Sequence, residues 1–238
     1  MRAPLHALLL LLTAIQVCSA EPLRVAVAAN FKPTLVTINA AYRARTGQEV
    51  LLSSASTGTL YSQILHGAPF SLFFSADRAT AQRVSDAPVA SDGRVFCYAI
   101  GELSLVGTND LNQLSNPARS LAIANPAIAP YGFAAKQVLQ RPEFAAGASR
   151  KLIQGNNAAQ AYQFWHTGGA ELALVPTALL HLAPDGDDAV AVPSTWHEPI
   201  EQTLVVIHSD EAVNAYLNWV RSDTVRAIIQ RAGYLPCP

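Results

Sequence analysis

Small polar residues gather at four points of this chain where a helical pattern begins, three of them after an apolar run. Ala28-Ala29-Asn30-Phe31 follows the first run, and Ser54-Ala55-Ser56-Thr57-Gly58 follows the second. Asn125-Pro126 leads through Pro130-Tyr131-Gly132 into a third helix, and Gly155-Asn156-Asn157-Ala158 opens a fourth. The first N–H groups of a helix have no partner inside it and carry positive partial charge. A hydroxyl or side-chain amide at the same place adds a neutral donor. One such turn alone reads as a helix cap. Several that share a ligand would hold an anion. Periodicity does not show whether they meet.

Other chemistry is poorly represented. The sequence has no G-x-S-x-G elbow, no phosphate loop ending in Gly-Lys-Ser/Thr and no H-E-x-x-H. His66, His166, His181, His197 and His208 lack metal-ligand spacing and read as structural or surface residues. Asp185, Asp187 and Asp188 lack the full calcium-loop pattern and read as a solvated loop. The expectation is a protein without catalytic residues, cofactor or resident metal. Charged residues make up 14% of the chain and the formal net charge is -1. There is no basic excess to hold a phosphate backbone, so nucleic acid is excluded as a partner.

The elements that must position the four turns alternate in type. Leu23–Ala28, Val50–Ser54 and Phe70–Phe74 read as strands. Between them, Pro33–Thr46 reads as a helix closed by Gly47, and Thr59–His66 as a helix closed by Gly67. Ala79–Val84 is a further short helix. The rhythm repeats with strands at Leu103–Val106, Leu121–Ala124 and Leu172–Val175 and helices at Phe133–Leu139 and Asn157–Thr167. Gln202–His208 reads as a closing strand. Helices at Glu211–Val220 and Thr224–Arg231 follow, the last with Asp223 as its cap. This is an α/β pattern in which helices cover parallel sheets. Open sheets of that kind bind ligands at the carboxyl ends of their strands, where three of the four turns fall, and the fourth opens a helix.

The chain opens like an exported protein. Arg2, the apolar run around Leu8–Leu12 and the small residues Ser19-Ala20 fit a signal peptide over residues 1–20. A first buried helix is the alternative. The run is too short to span a bilayer well. Export would leave Cys97 and Cys237, which in an oxidising compartment either pair or stay as two thiols, as geometry allows.

At its four turns the sequence resembles the periplasmic molybdate-binding proteins of ATP-driven (ABC) importers. The resemblance runs over nearly the whole mature chain. It is carried by Val25–Phe31, by Ser56–Ile64, by Gly67–Asp77, by Asn125-Pro126 with Pro130-Tyr131-Gly132, and by Gly155–Tyr162. It implies a type II periplasmic binding fold, two α/β lobes hinged by crossing strands. Lobe one would be about residues 21–100 plus 205–238, and lobe two about 101–204. Cys97 and Cys237 would then lie in lobe one, near the hinge. The ligand implied is molybdate or tungstate, held by Asn30, Ser56, Thr57, Tyr131 and Ala158. Asn30 and Thr57 would use side chain and backbone, Tyr131 and Ala158 mainly backbone N–H. Some members of the family place a Tyr hydroxyl where this chain has Pro176, which has neither hydroxyl nor N–H to give. That contact is absent here, or Thr177 replaces it. The resemblance further implies a monomer that delivers its ligand to a membrane permease. A receptor for another tetrahedral oxyanion such as sulfate, or an oxyanion sensor outside transport, is the alternative.

Overall fold

The computed structural model describes residues 21–181 and 188–238. The expected signal peptide and, of the expected Asp185–Asp188 loop, all but Asp188 lie outside the described residues.

The strands form two five-stranded sheets. The first holds β1 (Leu23–Ala28), β2 (Val50–Ala55), β3 (Leu72–Ser75), β4 (Val95–Gly101) and β10 (Ile200–Val206), in the order β2-β1-β3-β10-β4. The second holds β5 (Leu103–Val106), β6 (Leu121–Ala124), β7 (Leu152–Gly155), β8 (Leu172–Pro176) and β9 (Ala189–Ala191), in the order β7-β6-β8-β5-β9. Both sheets therefore repeat one plan. Three parallel strands come first, with the earliest in the middle, so each sheet reverses its strand order at β1 or β6.

The sheets are mixed rather than wholly parallel. β10 runs antiparallel to β3 and β4, and β5 runs antiparallel to β8 and β9. The reason is connectivity. β4 carries the chain out of the first sheet into β5, and β10 brings it back in the opposite sense. Ile200 is already paired with Gly101. The return into the first sheet thus comes before Ile200, ahead of the boundary at 205 expected from sequence.

The helices follow from apolar spacing and local caps. They are α1 (Lys32–Thr46), α2 (Thr57–Leu65), α3 (Arg78–Ser85), α4 (Pro130–Leu139), α5 (Ala158–His166), α6 (Thr177–Leu180), α7 (Glu211–Val220) and α8 (Asp223–Arg231). In α1 the buried residues Leu35, Ile38 and Tyr42 recur every three or four positions, which turns one stripe to the sheet. That stripe packs with Val25, Val27, Tyr216 and Ile229 on one face of the first sheet. Leu60 and Ile64 of α2 pack with Phe73 and Val84 on the other. Ser222, not Asp223, caps α8. Its backbone is extended and its hydroxyl accepts the N–H of Val225, whereas Asp223 is already helical.

Candidate functional site

The turns after β1, β2, β6 and β7 meet. Ala29, Asn30, Ser56, Thr57, Ala76, Ala129, Pro130, Tyr131, Asn157 and Ala158, with Ala28, line one small cavity of about 10 Å³ between the two sheets. That is about the room one water-sized sphere needs, far below the 300 Å³ or so at which pockets for drug-sized ligands begin. All five residues expected to contact an anion are on its wall, and all five are buried. No Asp, Glu, Lys, Arg or His lines it. A larger cleft of about 280 Å³ adjoins it, shares Thr57, Ala129 and Pro130 with it, and opens between α2, α3 and α4. Its width and its charged wall residues, Asp77, Arg83 and Glu198, suit it less to a small ion than the inner cavity.

Each turn is built locally. Ser56 is the cap of α2, its hydroxyl accepting the N–H of Thr59 at 3.2 Å and sharing a hydrogen bond with the Thr59 hydroxyl at 2.7 Å. The Thr57 hydroxyl accepts the buried N–H of Ala76 at 3.1 Å. That bond occupies a lone pair and leaves the hydroxyl proton to donate. Pro130 starts α4 and places Tyr131 in its first turn. Asn157 caps α5 through the N–H of Gln160 at 2.9 Å, and Ala158 is the first residue of that helix. Among the described residues, nothing accepts the backbone N–H of Asn30, Thr57, Tyr131 or Ala158. Gly58 lets the two sides close. Its N–H donates to the Ile128 carbonyl at 2.8 Å, and a Cβ on it would meet Ile128 atoms at 3.1 Å.

The Asn30 side chain, expected to contact the anion along with its backbone, is held by a buried network. Its Nδ2 donates to Gln202 Oε1 at 2.8 Å and to the Tyr234 hydroxyl at 3.1 Å, while that hydroxyl donates to the Asn30 carbonyl at 3.0 Å. Both amide hydrogens are engaged, and Oδ1 has no partner among the described residues. The Tyr98 hydroxyl reaches Gln202 Oε1 at 3.3 Å and the Ser75 carbonyl at 3.2 Å. Burial pushes the hydroxyls of Tyr98, Tyr131 and Tyr234 well above the ordinary tyrosine range, so all three stay neutral. Sequence reasoning passed over Gln202, Tyr98 and Tyr234. Tyr234 lies 204 positions from Asn30 and has no local signal.

Cys97 and Cys237 are joined by a disulfide with their Cα atoms 6.1 Å apart. The bridge and the pairing of Leu235 with Ile100 hold the C-terminal segment, and with it Tyr234, against β4. Pro176 ends β8, and Thr177 pairs its hydroxyl with Ser104 at 2.8 Å. Neither lines the cavity. Among the described residues, no group of three or more His, Cys, Asp or Glu is placed to hold a metal ion.

Two sheets joined by crossing strands, with a small closed cavity where their helix ends meet, define a solute-binding protein. The chain belongs to the bacterial extracellular solute-binding protein family, which it matches over residues 23–235. It is 35% identical to the molybdate-binding protein ModA of Azotobacter vinelandii, over 91% of this chain and 92% of that one. It is 32% identical to the molybdate-binding protein ModA of Rhodobacter capsulatus, over 88% and 86%. Among solved structures it resembles the periplasmic molybdate-binding protein of Azotobacter vinelandii with a TM-score of 0.82, at 33% identity and covering 91% of this chain and all of that one.

Proposed function

We infer that this protein is a periplasmic receptor that captures molybdate in the cavity between its two sheets and delivers it to an ABC importer. The observation that carries the reading is the convergence of four donor-rich turns on a cavity that no charged side chain lines. The likeness to two molybdate-binding proteins over most of the chain supports the choice of ligand. Asn30, Ser56, Thr57, Tyr131 and Ala158 supply the donors. Thr57 gives its hydroxyl proton and backbone N–H, and Tyr131 and Ala158 give backbone N–H from the first turns of α4 and α5.

The chemistry selects a fully deprotonated tetrahedral dianion. Free N–H groups reward every bare oxygen, whereas a phosphate that keeps its proton would set an O–H against donors. Molybdate is distinguished from the smaller sulfate by how well the oxygens reach donors on both walls at once. Binding draws together the lobes built on the two sheets, and the closed form is what the permease recognises. The protein acts as an exported monomer, a carrier and not a catalyst, and tungstate is bound as a close mimic.

The test is a panel of molybdate, tungstate, sulfate, phosphate and chromate in thermal-shift and calorimetric titrations. Stabilisation by molybdate and tungstate well beyond the others is expected. No response to either overturns the reading.

A further inference from the structure

Tyr234 lies outside the cavity wall yet bonds one residue of that wall twice. Its hydroxyl donates to the Asn30 carbonyl at 3.0 Å and accepts from Asn30 Nδ2 at 3.1 Å. One hydroxyl thus joins the main chain and the side chain of a single residue. Both residues are buried, which strengthens the bonds between them. The turn at Asn30 needs such a tie. Its carbonyl lies one residue before the cap of α1, and the helix begins with the carbonyl of Phe31, which accepts the N–H of Leu35 at 2.9 Å. Phe31 caps α1 without a side-chain hydrogen bond, whereas Ser56 and Asn157 cap α2 and α5 with theirs. At this turn Tyr234 supplies from a distance what those side chains supply locally.

The placing of Tyr234 is itself fixed. Gly233, at a φ of 84°, ends α8 and lets the chain turn toward β4. The Tyr234 ring packs edge-on against Phe31, with ring centres 5.3 Å apart. Beyond it Leu235 exchanges two backbone hydrogen bonds with Ile100, at 2.8 and 2.9 Å, and Cys237 is bridged to Cys97. The hydroxyl therefore reaches Asn30 from a support that does not depend on the turn it holds.

We propose that Tyr234 is a positioning residue for the oxyanion, which presents the free N–H of Asn30 to the cavity by holding that residue at its carbonyl and its side-chain amide together. This rests on the proposed capture of an oxyanion. With the hydroxyl in place the turn is set before a ligand arrives, so binding does not have to order it. Without it the Asn30 backbone is free to rotate, and its carbonyl is free to turn its lone pairs on the anion.

Tyr234→Phe removes only the hydroxyl and leaves the ring, the backbone pairing and the disulfide. Molybdate affinity should fall about tenfold, which is the cost of ordering the backbone of one residue. Tyr216→Phe is the control. Tyr216 is buried in the same part of the core, and its hydroxyl donates to Asn39 Oδ1 at 2.5 Å, where neither residue lines the cavity. Both variants should melt below wild type, but Tyr216→Phe should bind molybdate within about twofold of it. Nitrogen NMR relaxation of the Asn30 backbone amide in the empty protein gives a second readout, which wild type alone can fail. The amide should be as rigid as those of α1 in wild type, and more mobile in Tyr234→Phe. Wild-type affinity in Tyr234→Phe, an equal loss of affinity in Tyr216→Phe, or a mobile Asn30 amide in empty wild type overturns the assignment. Failure of wild type to bind molybdate at all would instead strike the proposed function.

Discussion

Replacing Thr57 by valine separates the two tasks of its hydroxyl. Valine has nearly the same shape, so the core of α2 is undisturbed. In the free protein the Ala76 N–H, buried and bonded to Thr57 Oγ1 at 3.1 Å, loses its acceptor. An orphaned buried donor costs about 1–3 kcal/mol. For a protein of this size that lowers the melting temperature by about 2–12 °C. The ligand separately loses one hydrogen bond to a charged group, worth about 1.5–3 kcal/mol. Molybdate affinity should fall by about 10- to 150-fold. Thr57→Ser keeps both the acceptor and the proton, and should stay within about threefold of wild type. Calorimetric titration gives the affinities, and melting curves without ligand give the stability. A Thr57→Val protein that melts lower yet binds like wild type would show that the hydroxyl serves only Ala76. The site would then have to be rebuilt from backbone donors alone.

Three further outcomes follow from the same geometry. Gly58→Ala puts a Cβ at 3.1 Å from Ile128 on the facing wall, and overpacking of that kind costs about 1–3 kcal/mol; stopped-flow release of molybdate should speed up by about fivefold or more. Gly101→Ala drives a methyl into the Tyr131 hydroxyl and should lower the melting temperature, and combining it with Tyr131→Phe should recover part of the loss. Asp77 caps α3, and burial holds its carboxyl above the ordinary aspartate value of 3.8 despite the Thr80 hydrogen bonds that pull it down. The folded protein therefore keeps this proton to higher pH than the unfolded chain does, and its contribution to stability declines as pH rises from about 4 through the raised value. Asp77→Asn retains a capping side chain, so the difference between wild-type and variant unfolding free energies should fall over that window. A flat difference would refute the assignment.

What could be read from the sequence was local. α1 and α2 have apolar residues at helical spacing and glycines after their ends, so they were legible within a residue or two. The donors at each turn were legible for the same reason, since caps and prolines act on neighbouring backbone. β4 was not, because Phe96, Cys97 and Tyr98 are all only partly buried and show no alternation. β7 escaped because two of its four residues are exposed, and β9 because it has three residues. The direction of β10 was hidden too. An apolar run fits either orientation, and only the crossing fixes which one. The support of Asn30 by Gln202, Tyr98 and Tyr234 depends on three distant segments meeting. One of those segments is pinned by the disulfide between residues 140 positions apart.

The low charge of the chain acquires a physical meaning at the cavity. Four helices, α1, α2, α4 and α5, start at its wall. Each N-terminus acts like roughly half a positive charge. Together they offer about two, which matches a dianion. A lysine or arginine in their place would attract any anion through a mobile, long-range charge. Fixed N–H dipoles act over the first turn only, and reward oxygens at set positions. Two of the four helix ends come from each sheet, so either wall alone supplies about half of the neutralising charge. An anion on one wall keeps an uncompensated demand for donors, which the other wall meets, and the Gly58 N–H bonds the Ile128 carbonyl across the two walls at 2.8 Å. A monoanion of the same shape would gain less from the second wall, and so would hold the lobes together less firmly.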